Sequence, residues 1–356
     1  MNLQGSFQYS FKDDYSELGH EKILSDLLKL SKIQMDGYGL DTVSSEAKEL
    51  IKKRFALQDA DIHFISGGTQ TNMILINSAL SSVDAVIAAD TGHICVHECG
   101  TVEHNGNKIL TAANKDGKIL PSDIEEICGA HIDEHMVNPK LVYISQLTEK
   151  GALYKKQELR ALYETCKKLK LYLFIDGARL GTALACEAAD IIPEDMGQLC
   201  DAFYIGGTKN GSPLGEALCI INEDIKKRFR YYLKQHGALL AKGALIGSCF
   251  RTLFTEDLFF DNARHSNRMA QKIAGAVKCK GYRMICDSPA NLILPVLPEA
   301  KVTELQKHFK FHIWEKISDT GSYAVSTGSC TVSCVIRLVC SWATDEEEVD
   351  KFISML

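Results

Sequence analysis

The sequence predicts an α/β fold, in which a mainly parallel sheet is covered by helices on both faces. Two observations predict it. Short apolar runs alternate with helical patterns of about 10–15 residues between residues 62 and 221. Several of these runs are apolar at nearly every position, as in strands that are buried on both faces. Of the 356 residues, 46% are hydrophobic and 24% are charged, which is enough apolar material for a sizeable core.

The elements follow in chain order. The first forty residues are polar and irregular, with one helical pattern over 22–30, and we expect them to form an arm or lid. A second helical pattern covers 44–57. The apolar runs that predict strands are 62–65, 84–89, 140–145, 171–175, 201–205 and 217–221, with helical patterns over 72–80 and 156–168.

After about residue 250 the regular alternation of apolar runs and helical patterns ends. A long helical pattern over 260–277 precedes short strand-like stretches at 292–296 and 335–339. This mixture predicts a smaller α+β unit. We therefore divide the chain into an N-terminal arm (1–40), a large and mainly parallel α/β domain (41–250) and a small C-terminal α+β domain (251–356).

Charge and cysteine content limit the functional classes. Forty basic and 46 acidic side chains give a net charge of −6, which disfavours a nucleic-acid partner held by bulk positive charge. Thirteen cysteines without C-x-x-C pairs indicate free thiols in a reducing compartment. We see no secretory signal and no apolar run long enough for a membrane span, so we expect a cytoplasmic protein without a membrane partner.

Polar residues at the strand ends are the candidates for chemistry, because ligands in such sheets bind beyond the carboxyl ends of the strands. The turn S-G-G-T-Q-T-N at 66–72 offers free N–H groups and hydroxyls to an anion, although such turns are common. Asp176 ends an apolar run and is either a helix cap or the partner of a protonated ring nitrogen. Lys209, between glycines, is either a loop lysine or an amine that attacks a carbonyl. His93 is either a satisfied polar residue or a ring that stacks on a planar ligand.

In combination and in this order, these parts indicate a pyridoxal phosphate site. The chain resembles the threonine aldolase / β-eliminating lyase family of fold type I pyridoxal phosphate enzymes over nearly its whole length. The resemblance implies a mainly parallel sheet of seven strands in the large domain. The motifs that carry the resemblance are S-G-G-T-Q-T-N (66–72), H-I-C-V-H-E-C-G (93–100), I-D-G-A-R (175–179), G-G-T-K-N-G (206–211) and R-L-V-C-S-W-A-T (337–344).

The resemblance implies roles around the cofactor, pyridoxal 5′-phosphate. Lys209 would form the Schiff base, Asp176 would pair with the pyridine nitrogen, and these two with His93 would be the catalytic residues. Arg179 would reach the phenolic oxygen, and His93 would stack on the ring. The remaining cofactor-binding positions are expected at Gly68, Thr69, Gln70 and Thr208.

The resemblance also implies a substrate site, with two departures from the family pattern. Arg337 would bind the substrate carboxylate. Many members carry Thr-His-Asn in a loop where this chain has Leu-Thr-Glu-Lys (147–150), so their second active-site histidine is absent here and Thr148 or Glu149 stands near its place. The N-terminal Ser-Asp-Thr of typical members is also replaced, and we expect Ser16 to present the substrate-facing hydroxyl.

The implied activity is cleavage of Cα–Cβ in small β-hydroxy amino acids, L-threonine or L-allo-threonine, to glycine and acetaldehyde. The proton acceptor stays open among His93, a water and Lys209. The family pattern also implies a homodimer or homotetramer, with Tyr38 approaching a neighbouring subunit's site.

Four alternatives remain. β-Elimination or transamination would run on the same scaffold. A metal site would use His93, His97 and Glu98 with Cys95, Cys99 and His104, or His131 with His135, although neither group has the H-E-x-x-H spacing and we expect no metal. A non-catalytic binding protein is disfavoured by the complete set of motifs. A nicotinamide-binding fold is disfavoured because the glycine fingerprint is missing.

Overall fold

A computed structural model describes residues 8–113, 116–318 and 332–356. Its strands are β1 Tyr9–Ser10, β2 Asp61–Ile65, β3 Asp84–Ala89, β4 Lys108–Ala112, β5 Asn138–Ser145, β6 Tyr172–Asp176, β7 Ala202–Gly206, β8 Glu216–Ile220, β9 Leu292–Ile293, β10 Val296–Pro298, β11 Phe309–Lys310, β12 His312–Ser318 and β13 Val332–Val339.

The helices fill the intervals between the strands. They are α1 Glu21–Leu30, α2 Thr42–Phe55, α3 Gly68–Ala79, α4 His93–Val96, α5 Thr101–His104, α6 Pro121–Ala130, α7 Lys156–Lys168, α8 Leu180–Leu184, α9 Glu223–Lys226, α10 Phe229–Gln235, α11 Ala244–Phe254, α12 Leu258–Cys279, α13 Glu299–Leu305 and α14 Glu346–Ser354, with a 3₁₀ helix at Pro193–Gln198. None of the helices in these described ranges is both long and apolar enough to cross a bilayer.

The central sheet has seven strands in the order β2-β8-β7-β6-β5-β3-β4. Neighbours from β7 to β4 pair in parallel, whereas β8 is antiparallel to both β7 and β2. Strands β7 and β8 are buried at every position, since helices cover both faces. The predicted mainly parallel α/β sheet is therefore confirmed.

Several elements of this region are absent from the predicted series, among them β4 and α6. In β4, exposed and buried residues alternate, because it is the edge strand of the sheet, so no continuous apolar run marks it. Helix α6 buries only Ile124 fully, so its apolar stripe is too narrow for a helical pattern to stand out.

The C-terminal part is built on a smaller antiparallel sheet, in which β13 pairs with β9, β10 and β12. The expected N-terminal arm is partly incorporated here, which corrects the expectation of a peripheral segment. Strand β1 pairs in parallel with β11, and the ring of Phe11 lies 5.6 Å from Phe309 and 5.4 Å from Phe352. Two paired residues and one buried ring form too short a signal to recognise in a sequence. Residues 1–7 of the arm lie outside the described ranges, and the division into three parts stays a prediction.

Candidate active site

A cavity of about 510 Å³ opens at the carboxyl ends of β5, β6 and β7. Parallel strands present these ends at one edge of the sheet, so residues distant in sequence meet there. The cavity is lined by seven of the residues predicted from the sequence, namely Gly68, Thr69, His93, Asp176, Arg179, Thr208 and Lys209.

Asp176, the last residue of β6, is held by four hydrogen-bond donors. The Tyr143 hydroxyl (2.6 Å) and the Asn72 amide (3.0 Å) donate to Oδ2, while the Tyr204 hydroxyl (2.5 Å) and the Ala178 N–H (3.0 Å) donate to Oδ1. Burial alone would raise the pKa of Asp176, but these bonds lower it below its ordinary value. The group is therefore a buried carboxylate that faces the cavity, as the partner of a protonated ring nitrogen must be.

Two glycines allow the loop after Asp176 to pack directly against β7. A Cβ atom on Gly177 would lie 1.7 Å from the carbonyl oxygen of Tyr204, and one on Gly206 would lie 2.3 Å from that of Ala178. Any side chain at either position would push the two strand ends apart. The glycines of the D-G-A-R and G-G-T-K motifs thus fix the spacing between the carboxylate and the lysine loop.

Lys209 follows β7 and is directed into the cavity. Within the described ranges its Nζ atom has no hydrogen-bond or ion-pair partner. Burial, with the neighbouring Arg179 adding to it, lowers the pKa of Lys209, which favours the neutral, nucleophilic amine. The cavity also contains Glu216, whose carboxylate accepts a 2.8 Å bond from the Gly207 N–H and whose pKa is raised to about 7 by burial.

The start of α3, where the phosphate cup is expected, lines the cavity. Gly67 caps the helix without a side-chain bond, and the first intrahelical bond runs from the Thr71 N–H, so the N–H groups of residues 68–70 precede it. The Gln70 side chain does not face the cavity, because it accepts a bond from Ser66 and donates to the His236 carbonyl. Gln70 is therefore available only through its main chain.

His93 is held in place by a second buried acid. Its Nδ1 lies 2.6 Å from Oε1 of Glu98, and because a carboxylate only accepts, Nδ1 carries the hydrogen. Asn72 donates to this same oxygen at 2.8 Å as well as to Asp176, so one amide connects the histidine support to the ring-nitrogen site. The main-chain N–H of His93 donates to the Glu149 carboxyl group, whose pKa is raised by burial.

Arg179 forms a bidentate ion pair with Asp14, at 2.8 and 2.9 Å, while still lining the cavity. Arg337 lies close enough to interact electrostatically with both groups. Burial, with Arg179 adding to it, lowers the pKa of Arg337 to about 10. Among the residues that the structure describes, the guanidinium of Arg337 donates one bond, to the Lys12 carbonyl at 3.3 Å, and these residues leave most of its donors for a ligand.

Ser16 and Thr148 are two further predicted residues that do not line the cavity. Ser16 is exposed and donates to Asp13, and the neighbouring Tyr15 lines the cavity in its place. The Thr148 hydroxyl is engaged in local hydrogen bonds, because it donates to the Asp116 carbonyl and accepts a bond from the Ala152 N–H. The structure therefore corrects the placement of Ser16 and Thr148.

Tyr38 lies away from its own chain's cavity, at the surface beside α10, with the Lys234 ammonium 4.8 Å from its ring centroid. This placement leaves its expected contact with a neighbouring subunit as a prediction.

Sequence reasoning missed several residues that line or support the site. These are Asp14, Tyr15, Asn72, His97, Glu98, Tyr143, Tyr204 and Glu216. Asn72 and Glu98 stand inside motifs that were already singled out, so their polarity within apolar helix and loop segments was an available signal. Tyr143 and Tyr204 were counted only as apolar strand residues.

The residues present fit pyridoxal phosphate. They supply a buried carboxylate for a ring nitrogen, an unpartnered buried amine for an aldehyde, and a helix N-terminus for a phosphate. In the described ranges, no three His, Cys, Asp or Glu side chains are arranged to hold one ion.

The chain is similar to known proteins in both sequence and fold. The family described as beta-eliminating lyase matches residues 31–282. A low specificity L-threonine aldolase of Pseudomonas sp. (strain NCIMB 10558) is 31% identical over 319 residues, which cover 88% of this chain and 86% of that protein. The structure of a Leishmania major threonine aldolase superposes with a TM-score of 0.92 at 42% identity, covering 97% of this chain and 98% of that one. An aspartate aminotransferase of Thermus thermophilus shares the fold, with a TM-score of 0.70 at 17% identity over 99% of this chain and 91% of that one.

Proposed function

Since the chain belongs to the beta-eliminating lyase family, we propose that it is a pyridoxal phosphate-dependent lyase that cleaves the Cα–Cβ bond of small β-hydroxy amino acids. L-Threonine and L-allo-threonine would give glycine and acetaldehyde. The observation that carries the proposal is the meeting of the Lys209 amine and the Asp176 carboxylate in one cavity. The 42% identity to a threonine aldolase over nearly the full chain supports the choice of reaction.

The cofactor, when bound, accepts the electron pair of the bond that breaks at the α-carbon. The chain's residues would hold it for this task. The Lys209 amine would be its covalent attachment point. The Asp176 carboxylate would pair with the ring nitrogen and favour its protonated form, which would stabilise negative charge that develops nearby. The N–H groups at the start of α3 would bind the phosphate, and His93 would pack on the ring.

Substrate orientation is assigned to Arg337. A guanidinium that binds the carboxylate in a bidentate manner restricts rotation about the bonds to the α-carbon. The bond to be broken would then be held in one orientation, and positioning of this kind contributes roughly several kcal/mol to lowering the barrier. Arg179 stays charged through its ion pair with Asp14 and adds positive charge at the cavity wall.

Product analysis tests the reaction class. The cofactor-loaded protein is incubated separately with L-threonine, L-allo-threonine and L-serine. We expect glycine and acetaldehyde in equal amounts from the first two. Pyruvate and ammonia from L-serine without glycine would instead indicate β-elimination, and a keto acid formed only with an amino acceptor would indicate transamination. The missing second histidine at 147–150 is the feature that favours these alternatives.

The proposal extends to assembly and compartment. Residues 15–40 expose several large apolar side chains, and these support a homodimer or homotetramer with sites at the subunit interface, to be measured by light scattering; they include Leu18, Leu28, Ile33 and Leu40. In the described ranges all twelve cysteines are free, which supports a cytoplasmic location.

A further inference from the structure

A second histidine, His97, faces the cavity beside His93. It follows the single turn of α4, and its N–H donates to the His93 carbonyl at 2.9 Å. This turn brings the two rings to the same side, with their centroids 5.5 Å apart. His97 therefore stands where a ligand stacked against His93 would reach.

The ring nitrogens of His97 differ from those of His93 in their hydrogen bonding. In the ranges that the structure describes, neither ring nitrogen makes a hydrogen bond or an ion pair, whereas Nδ1 of His93 is held by Glu98. Burial, followed by the charges of His93 and Arg337, lowers the pKa of His97 below its ordinary value. A neutral imidazole has one acceptor nitrogen, so His97 can accept a proton.

Its location relative to Arg337 indicates which part of a ligand His97 would meet. The two side chains are close enough for the guanidinium to lower the pKa of the histidine. Arg337 is the proposed anchor of the substrate carboxylate, so its proximity assigns His97 to the substrate side of the cavity. The group next to an anchored α-carbon there is the β-substituent.

The residues nearest to the place of the missing family histidine are already occupied. The Thr148 hydroxyl closes a turn through Asp116 and Ala152. Oε1 of Glu149 accepts hydrogen bonds from both the main-chain N–H of His93 and the Ser145 hydroxyl. These bonds give Glu149 a structural role in holding the start of α4. Of the two histidines that line the cavity, His97 is thus the one whose ring has no hydrogen-bond partner among the described residues.

We propose that His97 accepts the β-hydroxyl proton of the substrate, an inference that rests on the proposed function. The O–H bond breaks and its proton moves to a ring nitrogen of His97. The oxygen lone pair then forms the aldehyde C=O as the Cα–Cβ bond breaks, and that bond's electron pair passes to the α-carbon. A proton delivered to the α-carbon completes glycine, and loss of the proton from His97 restores the starting state.

The test separates the hydroxyl proton from every other step. His97→Phe removes both nitrogens and keeps a ring. General base catalysis contributes roughly 10²–10⁴-fold, so we expect kcat/KM for L-threonine to fall at least about 100-fold. Glycine has no hydroxyl, so its Kd, from visible absorbance titration, and its α-proton exchange in D₂O, followed by NMR, should stay within about threefold of wild type. Val96→Ala, on the exposed side of the same turn, is the matched control and should change neither.

The possible outcomes distinguish proton transfer to His97 from the alternatives. Cleavage by His97→Phe within threefold of wild type overturns the proposal, and so does an equal loss of glycine binding and exchange, which would show a structural role. If Glu149→Gln loses cleavage selectively while His97→Phe does not, the proton acceptor is Glu149. If the wild-type protein exchanges the glycine α-proton but cleaves no β-hydroxy amino acid, the proposed function itself fails, and the inference fails with it.

Discussion

Arg179 and Asp14 are joined by two parallel hydrogen bonds, of 2.8 and 2.9 Å, across 165 residues of sequence. The carboxylate is completely buried, and the Asn291 amide donates to one of its oxygens at 2.9 Å. This pair fastens the segment after β1 to the end of β6. It also lets a guanidinium line the cavity without being an isolated buried charge.

Asp14→Asn should therefore destabilise the protein strongly. The variant leaves the Arg179 guanidinium buried without its counter-charge, and breaking a buried pair in this way costs about 3–5 kcal/mol. Urea unfolding of the cofactor-free protein at pH 7 measures the loss. Asp261→Asn, which breaks an exposed pair with Arg264, is the matched control and should cost no more than about 1 kcal/mol.

The pKa of Asp14 determines how the stability contributed by this ion pair depends on pH. Burial alone would raise the pKa of Asp14, but the charges of Arg179 and Lys209 lower it below the ordinary 3.8. A carboxyl with a lowered pKa contributes stability above its unfolded pKa and loses it as the pH falls through its folded pKa. The difference between wild type and Asp14→Asn should persist at pH 5. Equal stability of the two proteins at pH 5 and 7 would contradict the ion pair.

Lys209→Ala should abolish both turnover and covalent attachment of the cofactor. Only this buried amine at the strand end is proposed to bond the aldehyde. Borohydride reduction of the loaded wild-type protein, followed by digestion and mass spectrometry, should place the cofactor mass on the peptide that carries Lys209. Modification of another lysine, or turnover by Lys209→Ala close to wild type, would refute the assignment. Lys227→Ala, at an exposed lysine, serves as the control.

Gly177→Ala should be far more damaging than an ordinary glycine substitution. Its methyl group would lie 1.7 Å from the Tyr204 carbonyl oxygen, so β6 and β7 would have to separate. We expect a loss of at least about 3 kcal/mol, or no folded protein, because overpacking against backbone cannot relax by a rotamer change. Circular dichroism and urea unfolding measure it.

Gly275→Ala provides the matched comparison. Gly275 lies inside α12, and a Cβ there meets nothing within 4 Å. Because alanine is favoured over glycine in a helix by roughly 0.5–1 kcal/mol, this variant should be as stable as wild type or more so. Similar losses for the two substitutions would show that the close approach of the strands at Gly177 is not real.

The sequence was most informative where chemistry and topology coincide. Asp176 and Lys209 each follow an apolar run, and the rule that strand ends of a parallel sheet share one edge was enough to bring them together. What lay beyond reach were contacts between distant segments. Nothing in the sequence near Asp14 indicates a partner 165 residues away. The antiparallel direction of β8 follows from its short connection to β7, residues 207–215, rather than from its apolar residues.

Local cues also failed where a side chain had two competing partners. Thr148 and Ser16 were expected at the cavity because they carry hydroxyls at suitable places in the chain. Each instead satisfies a nearby group, Thr148 in its own turn and Ser16 at Asp13. Short polar side chains commonly bond to local backbone or neighbours, and the sequence does not show which partner wins.

Glu216 should make the cofactor-free protein less stable as the pH rises. Burial raises its pKa from 4.5 to about 7. Between these values the folded protein keeps a proton that the unfolded chain releases, so the free energy of unfolding falls as the pH increases from 4.5 to 7 and stays lower above it. Each unit of pKa shift corresponds to roughly 1.4 kcal/mol. Glu216→Gln cannot ionise and should therefore exceed wild type in stability at pH 8 by about 1–3 kcal/mol.

Urea unfolding of the two proteins at pH 4.5, 6 and 8 measures the difference. Their stabilities should converge toward pH 4.5, where Glu216 is protonated in the folded state, and separate as the pH rises. Glu187→Gln, at an exposed position, should follow the wild-type curve throughout. A pH-independent gap between wild type and Glu216→Gln would mean that the glutamine alters packing. A less stable Glu216→Gln at pH 8 would mean that the ionised carboxylate is needed to balance Lys209, because removing a paired buried charge is then the larger effect.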